Sequence, residues 1–334
     1  MNRPRVGFLG TGWIGRDRME AILKDNAVEA VAIADPSREC AVAAAALAPR
    51  AAIAPGLEGL LEHRLDGLVI ATPSALHAPQ SIAALDAGVA VFCQKPLGRS
   101  AAEAAQVVGA ARRADRLLAV DFSYRHAAGI QALAALLRDG AFGEVFAIDA
   151  RFHNAYGPDK PWFYDRAQSG GGCAMDLGVH LIDLILWLFD FPKATRVASR
   201  LFANGTALPA GSPQVEDYAV AEFDLAGGAH ARLACSWRLH AGQEAEIELT
   251  LYGTRGGGLF RNVGGSFYDF EAFRFDGTAR SRLVSPPDEW GGRAAAAWAA
   301  RLCAGDSGFD PAAEELVRVS ELVDLLYGEA SAPH

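Results

Sequence analysis

The sequence predicts an α/β chain of two domains, a doubly wound parallel sheet followed by an α+β domain with an open, mostly antiparallel sheet. Three observations predict it. The first third alternates short, near-continuous apolar runs with helix-like segments, as a parallel sheet covered on both faces requires. After about Asp121 that alternation stops: from Arg196 to Phe275, glycine pairs such as Gly227-Gly228 and Gly264-Gly265 separate runs of alternating polarity with no helical pattern between them. The chain, at 334 residues, is also longer than one ordinary domain. Its 51% hydrophobic and 21% charged residues are those of a globular protein and exclude disorder, coiled coil and collagen.

Arg5–Leu9 is the first apolar run, Trp13–Leu23 reads as a helix, and Ala30–Ala34 is a second strand ending at Asp35. A helix over Ser37–Leu47 follows, then a third buried strand, Gly67–Ala71, stopped by Thr72-Pro73. Helix Leu76–Ala87, strand Val89–Cys93, helix Ala101–Ala114 and strand Leu117–Asp121 complete a doubly wound domain over residues 1–122, wound by right-handed crossovers. The second domain, 123–334, is read as the substrate-binding and oligomerisation domain. It opens with a helix over 127–138 and with Glu144–Phe152, whose alternation reads as an edge-type strand. Alternating runs such as Tyr218–Leu225 and Ala229–Trp237 make the sheet, and a helix over 312–327 closes the chain. Ala219–Phe223, Ala231–Cys235 and Ile247–Leu251 carry apolar residues on both faces, so a homodimer or homotetramer through this sheet is expected.

Thirty-one basic against forty acidic residues give a net charge of −9. A nucleic-acid or anionic-membrane partner calls for the opposite sign or a dense basic block, so neither partner is expected and small-molecule chemistry is. Cys40, Cys93, Cys173, Cys235 and Cys303 are odd in number and show no CxxC spacing, which reads as reduced thiols. The apolar stretch Val6–Leu9 is cut at once by Gly10, too short for a signal peptide. The apolar run Leu181–Phe191 carries Asp183 and Asp190, against a membrane span. The expected location is cytoplasmic.

Gly10-Thr11-Gly12-Trp13-Ile14-Gly15 is a GxGxxG motif that follows a strand, opens a helix and is answered by Asp35 twenty residues after Gly15. In that context it is a dinucleotide fingerprint: Gly10 makes the tight turn, Gly12 lets the backbone approach the pyrophosphate, and Gly15 permits close helix packing. The helix start offers N–H groups and the positive dipole end to the phosphates. Asp35 suits the ribose hydroxyls and repels a 2′-phosphate, which favours NAD; Arg38 leaves NADP possible. Lys95, in Gln94-Lys95-Pro96, falls at the carboxyl end of a predicted parallel strand, where open α/β sheets bind ligands. Thr72-Pro73 ends the preceding strand in a similar way, and His77 after it reads either as a nicotinamide-pocket residue or as a helix-start residue. In Gly170-Gly171-Gly172-Cys173-Ala174-Met175-Asp176-Leu177-Gly178-Val179-His180, α-helical spacing brings Asp176, His180 and Asp183 within about 60° of one another. A polar stripe on an otherwise apolar helix faces a cleft or a satisfied internal network. An Asp beside a His can tune an imidazole as general base. No third ligand stands nearby, so no metal is expected.

Taken together and in order, these motifs resemble the Gfo/Idh/MocA oxidoreductases, the family of glucose–fructose oxidoreductase and inositol dehydrogenase. The resemblance runs from Gly10–Gly15 through Asp35, Ala71-Thr72-Pro73 with His77, and Lys95-Pro96. It continues through Gly170–Gly172 with Asp176-x-Gly178-Val179-His180, and ends at the late helix near Tyr327. It implies a Rossmann domain, a C-terminal domain with an open sheet, and hydride transfer between a nicotinamide and a hydroxyl-bearing carbon of a sugar, polyol or cyclitol. It places Lys95, Asp176 and His180 at the family's catalytic positions. Cofactor contacts are implied at Gly10, Thr11, Gly12, Trp13, Ile14 and Gly15, at Asp35 and Arg38, and at Thr72, Pro73, His77 and Lys95. One departure stands out: the family usually has Glu-Lys-Pro where this chain has Gln94, which removes a carboxylate expected to support a charged Lys95. A non-catalytic NAD(P)-binding regulator and an NAD-dependent glycosidase are the alternative readings.

Overall fold

The apolar pentad Arg5–Leu9 forms β1, whose last four residues are buried on both faces. From it the alternation runs as read: α1 (Trp13–Leu23), β2 (Glu29–Ala34), α2 (Arg38–Ala45), a two-residue β3 (Ala52–Ile53) and α3 (Leu57–Leu61). Then come β4 (Gly67–Ile70), α4 (Ser74–Asp86), β5 (Ala90–Cys93), α5 (Ala101–Ala114) and β6 (Leu118–Val120). In this computed structural model, which describes residues 3–209 and 211–328, the six strands pair in parallel in the order β3-β2-β1-β4-β5-β6. That is the doubly wound arrangement, with its switch of direction beside β1. Local chemistry starts the helices: the Ser37 and Ser100 hydroxyls accept from the N–H groups of Cys40 and Glu103, each at 3.3 Å.

The chain divides into two units. The first covers residues up to Asp121 together with Gly292–Val317; the second covers Phe122–Gly291 and the residues from Arg318 on. The sequence expectation that everything after 122 belongs to the second domain fails for 292–317. The reason is hydrophobic. The helix Arg293–Cys303 buries Ala294, Ala295, Trp298, Ala299 and Leu302 in one cluster with Val6, Phe8, Met19, Ile33 and Phe92. Trp298 lies with its ring centroid 5.8 Å from that of Phe92. Burying a side chain of Leu or Phe size contributes roughly 1.5–3 kcal/mol, enough to recruit a helix from far along the chain.

The second unit holds α6 (Ala128–Arg138), β7 (Val145–Asn154), the single turn α7 (Arg166–Ser169), a π-helical turn (Ala174–Gly178) and α8 (Val179–Leu188). β8 (Ala194–Ala203), β9 (Thr206–Ala207), β10 (Tyr218–Leu225), β11 (His230–Ser236) and β12 (Ala245–Gly253) follow. β13 (Gly257–Asn262), β14 (Phe270–Asp276) and β15 (Ala279–Val284) complete a nine-stranded sheet in the order β15-β14-β13-β12-β7-β11-β10-β8-β9. It is antiparallel except for β7 against β11. Two expectations change here. Glu144–Phe152 was expected at an edge, yet β7 lies between β12 and β11, because alternation reports one solvated face and says nothing of how many neighbours a strand has. The outer faces of β10, β11 and β12 are also mixed rather than apolar, with Val220 and Ala234 set among charged residues. Glu222, Asp224, Arg232, Glu246 and Glu248 point outward, and Arg232 meets Asp149 through two 2.8 Å hydrogen bonds. The stretch Arg166–Leu188 is long and apolar enough to cross a membrane, but 83% of its most apolar window is buried in the protein, as in a core helix.

Candidate functional site

The fingerprint turn in the first unit is built from close backbone approaches. Gly10 has φ +81°, and a Cβ there would stand 2.5 Å from the Ala71 carbonyl oxygen; a Cβ at Gly15 would stand 2.0 Å from the Gly10 oxygen. These two positions admit no side chain. Gly12 differs, with nothing within 4 Å of where its Cβ would be. The first turn of α1 has neither a side-chain cap nor an acidic residue, so its N–H groups are not satisfied by the protein's own anions. An open rim above uncapped amides fits the pyrophosphate of a dinucleotide. Asp35 ends β2 and is fixed by its neighbours. It accepts from the Thr11 N–H at 2.6 Å on one oxygen and from the Ser37 N–H at 2.8 Å on the other. Trp13 is 63% exposed, Ile14 is half-buried and Arg38 is exposed, so all three border solvent.

The turns after β4 and β5 hold Thr72, Pro73, His77 and Lys95. Pro73 caps α4, and the Thr72 hydroxyl donates to Gln80 Oε1 at 2.7 Å. His77 is buried between the two turns, its Nδ1 2.6 Å from the Pro96 carbonyl oxygen and its Nε2 2.7 Å from that of Thr72. Burial pushes the His77 imidazole below its usual pKa. A neutral ring carries one N–H and donates to only one of these oxygens; packed between them, His77 brackets the ends of β4 and β5. Lys95 is half-buried at the end of the bracketed turn. Its neighbour Gln94 is buried, and the carboxamide donates to Asp121.

The Asp176–His180 stretch lies in the second unit. Gly172 brings the chain against residue 216, where a Cβ would stand 1.9 Å from the Glu216 carbonyl oxygen. The buried Glu216 carboxylate accepts from the N–H groups of Gly172 and Ala174, each at 3.0 Å, and from the Tyr327 hydroxyl at 2.7 Å. Burial raises the Glu216 carboxyl from its usual pKa, opposed by these donors. From this anchor the chain enters the π turn, in which the Val179 N–H bonds to the Ala174 oxygen, and passes into α8. Sequence spacing predicts α-helix throughout; the extra residue in the turn is a tertiary feature of the kind that gathers at functional positions.

Asp176 and His180 are both half-buried. Asp176 Oδ2 accepts from Trp237 Nε1 at 3.1 Å, and the His180 ring meets Tyr124 edge-on at 5.0 Å. Asp183, the third member of the expected stripe, is 1% exposed and receives the Arg125 guanidinium on both oxygens, one of them at 2.9 Å. It belongs to a buried ion pair; Arg125 in turn stacks over Phe122 and Phe191. Trp237, Tyr164, Arg238, Gln214 and Asp217 line a pocket of about 220 Å³. Tyr124 and Trp237, which touch His180 and Asp176, carry no spacing signature: the sequence marks them only through the run Tyr124-Arg125-His126 after the last parallel strand and the segment Ser236-Trp237-Arg238, neither of which it assigns. Among the described residues, no group of three or more His, Cys, Asp or Glu stands in a metal-binding arrangement.

Residues 4–122 match the family model described as an oxidoreductase family with an NAD-binding Rossmann fold, and residues 130–258 match the GFO/IDH/MocA C-terminal domain. A putative UDP-kanosamine synthase oxidoreductase subunit from Amycolatopsis mediterranei is 30% identical over 73% of this chain and 71% of its own. The D-glucoside 3-dehydrogenase of Escherichia coli is 26% identical over 76% of each chain. Among solved structures, KijD10, a 3-ketoreductase from Actinomadura kijaniata crystallised with NADP and TDP-benzene, superposes with a TM-score of 0.83. It covers 98% of both chains at 22% identity, which speaks to the fold.

Proposed function

Because this chain belongs to the GFO/IDH/MocA oxidoreductases, we propose that it is an NAD(P)-dependent dehydrogenase acting at a hydroxyl-bearing carbon of a sugar, polyol or cyclitol. The observation that carries the assignment of chemistry is the Asp176–His180 pair, presented half-buried on the π turn and α8 while Asp183 is consumed by Arg125. The Gly10–Gly15 turn would hold a nicotinamide nucleotide, which when bound would supply the hydride acceptor. Asp35, fixed from both sides by Thr11 and Ser37, binds the adenosine ribose and favours NAD. His180 takes the proton from the substrate hydroxyl as general base. Asp176, held in orientation by Trp237, accepts a second hydrogen bond from the substrate. Lys95 donates to the alcohol oxygen and interacts more strongly as negative charge develops there.

A panel of sugars, polyols and cyclitols incubated with NAD or NADP tests the reading by the appearance of reduced nicotinamide. On the substrate so found, His180→Ala and Lys95→Ala are expected to lower kcat by roughly 10²–10⁴-fold while cofactor affinity holds. Near wild-type kcat in either variant removes that residue's role. Release of an aglycone without net reduction would make the protein a glycosidase, and cofactor binding without turnover would make it a regulator.

The outer face of the second unit's sheet is assigned to a second copy of this chain. A groove of about 580 Å³ runs there over Ala198, Val220 and Ala234, flanked by the Asp149–Arg232 and Arg151–Glu248 ion pairs. Such a patch, with both signs of charge, can meet itself about a two-fold axis. Light scattering at micromolar concentration should report a dimer or tetramer, and a monomer overturns the assignment. All five cysteines are free thiols, which suits a reducing compartment, and we place the protein in the cytoplasm; its recovery from an oxidising compartment by cell fractionation would overturn this.

A further inference from the structure

Within the first unit, one buried carboxylate touches both the helix that follows the Gly10–Gly15 turn and the residue before Lys95. Asp121 follows β6 and is 1% exposed. Its Oδ2 accepts from Arg18 Nε at 2.6 Å and from the Gln94 carboxamide. Arg18 is 7% exposed, stands three residues after Gly15 on α1, and also contacts the Asp17 carboxylate. Gln94 directly precedes Lys95. The backbones of the two strand ends are joined as well, since the Asp121 N–H donates to the Cys93 oxygen at 2.9 Å. Helix α1, the Lys95 turn and the end of β6 therefore converge on a single oxygen atom.

We propose that Asp121, Arg18 and Gln94 are positioning residues that lock the Lys95 turn to the dinucleotide-binding helix, with Gln94 required as a neutral donor. The proposal rests on the reading of Lys95 and of the Gly10–Gly15 turn given above. Its logic is a charge count. Arg18 and Asp121 form a buried pair, and a buried pair tolerates neither loss of one partner nor an added charge. Gln94 satisfies the carboxylate without changing the count. A glutamate at 94 would set a second carboxylate against Asp121, with like-charge repulsion in buried surroundings. The usual Glu-Lys-Pro of the resemblance thus does not fit beside Asp121. In this chain residue 121 carries the carboxylate to which the neutral Gln94 donates.

The test exchanges the two groups. Gln94→Glu and Asp121→Asn each break the count, whereas the double variant restores one carboxylate, one carboxamide and one guanidinium at the same two positions. Three quantities are read: the melting temperature, the NAD dissociation constant by calorimetry, and kcat and KM on the substrate found. Each single variant is expected to weaken NAD binding and lower kcat, each by about tenfold, with sugar KM within about a factor of two. The double variant is expected to return to within about threefold of wild type. If both single variants bind NAD and turn over like wild type, or if only melting falls, the lock is structural and the proposal is overturned. A double variant no better than the worse single overturns it too. Gln94→Met, similar in length but without the donor, serves if Gln94→Glu does not fold; wild-type NAD affinity in it would likewise overturn the proposal. Should no sugar be oxidised by the wild type, the dehydrogenase reading fails, while melting and NAD titration still decide this one.

Discussion

The glycine turn at 10–15 and the glycine turn at 170–172 are built alike and used in opposite ways. Each brings a backbone carbonyl within about 2 Å of where a Cβ would be, 2.0 Å at Gly15 and 1.9 Å at Gly172. Each leads into a helical segment that carries proposed site residues. At the first turn the helix amides are left without a side-chain cap and the space over Gly12 is open. At the second, the amides of Gly172 and Ala174 are already taken by the Glu216 carboxylate, itself held by Tyr327. The comparison teaches that a glycine-rich helix entry is not in itself a ligand site. What differs is whether the protein's own anion sits on the amides of the helix entry: Asp35 takes only the Thr11 N–H ahead of α1, whereas Glu216 takes those of Gly172 and Ala174.

Three substitutions sharpen that contrast. The largest effect is expected for Gly172→Ala, because the added methyl meets the backbone oxygen of Glu216, which cannot swing aside. A loss of about 3 kcal/mol in denaturant unfolding is expected, and an unchanged midpoint would show that the turn yields. Glu216→Gln comes next. A carboxamide offers one acceptor oxygen where two N–H groups and a hydroxyl converge, so a loss of about 1–3 kcal/mol is expected. The variant should also change the pH dependence. Because burial raises the folded-state pKa of Glu216 above its unfolded value of 4.5, its ionisation weighs against the fold as pH rises from there through the folded value. Melting curves between acid and neutral pH should therefore fall less steeply in the variant, and an identical slope would remove Glu216 as the cause. The smallest stability effect belongs to Gly12→Ala. With nothing within 4 Å, the methyl is expected to shift stability by no more than about 0.5 kcal/mol. It should nonetheless weaken NAD binding by standing where the pyrophosphate approaches. Unchanged NAD affinity would break the comparison at its root, since the open rim would then hold no ligand.

Much of the first unit was legible because its information is local. Glycine spacing, the strand before it, the helix after it and an acid twenty residues on all lie within one βαβ stretch, and the structure gives Gly10 and Gly15 the close backbone approaches that spacing implies. The second unit was legible only in part. The run from Asp176 to Asp183 reads as one polar stripe, yet the stripe divides. Asp176 and His180 remain half-buried, while Asp183 is claimed by Arg125, 58 residues away in sequence. His77 shows the same ambiguity: its position after Thr72-Pro73 suits a cofactor pocket, and its burial between two carbonyl groups makes it a bracket.

The sequence by itself determined the succession of elements, the two sheet types and the family, because periodicity, glycine spacing and motif order are set by residues near one another in the chain. Only the tertiary structure decided which polar groups are already satisfied. That choice depends on partners with no fixed separation: Glu216 for Gly172, Asp121 for Gln94, Arg125 for Asp183, and the helix Arg293–Cys303 for the core of the first unit. The physical reason is the cost of burial. An ionised or polar group removed from water must find a partner wherever the fold brings one, and a single sequence records the group without recording the partner.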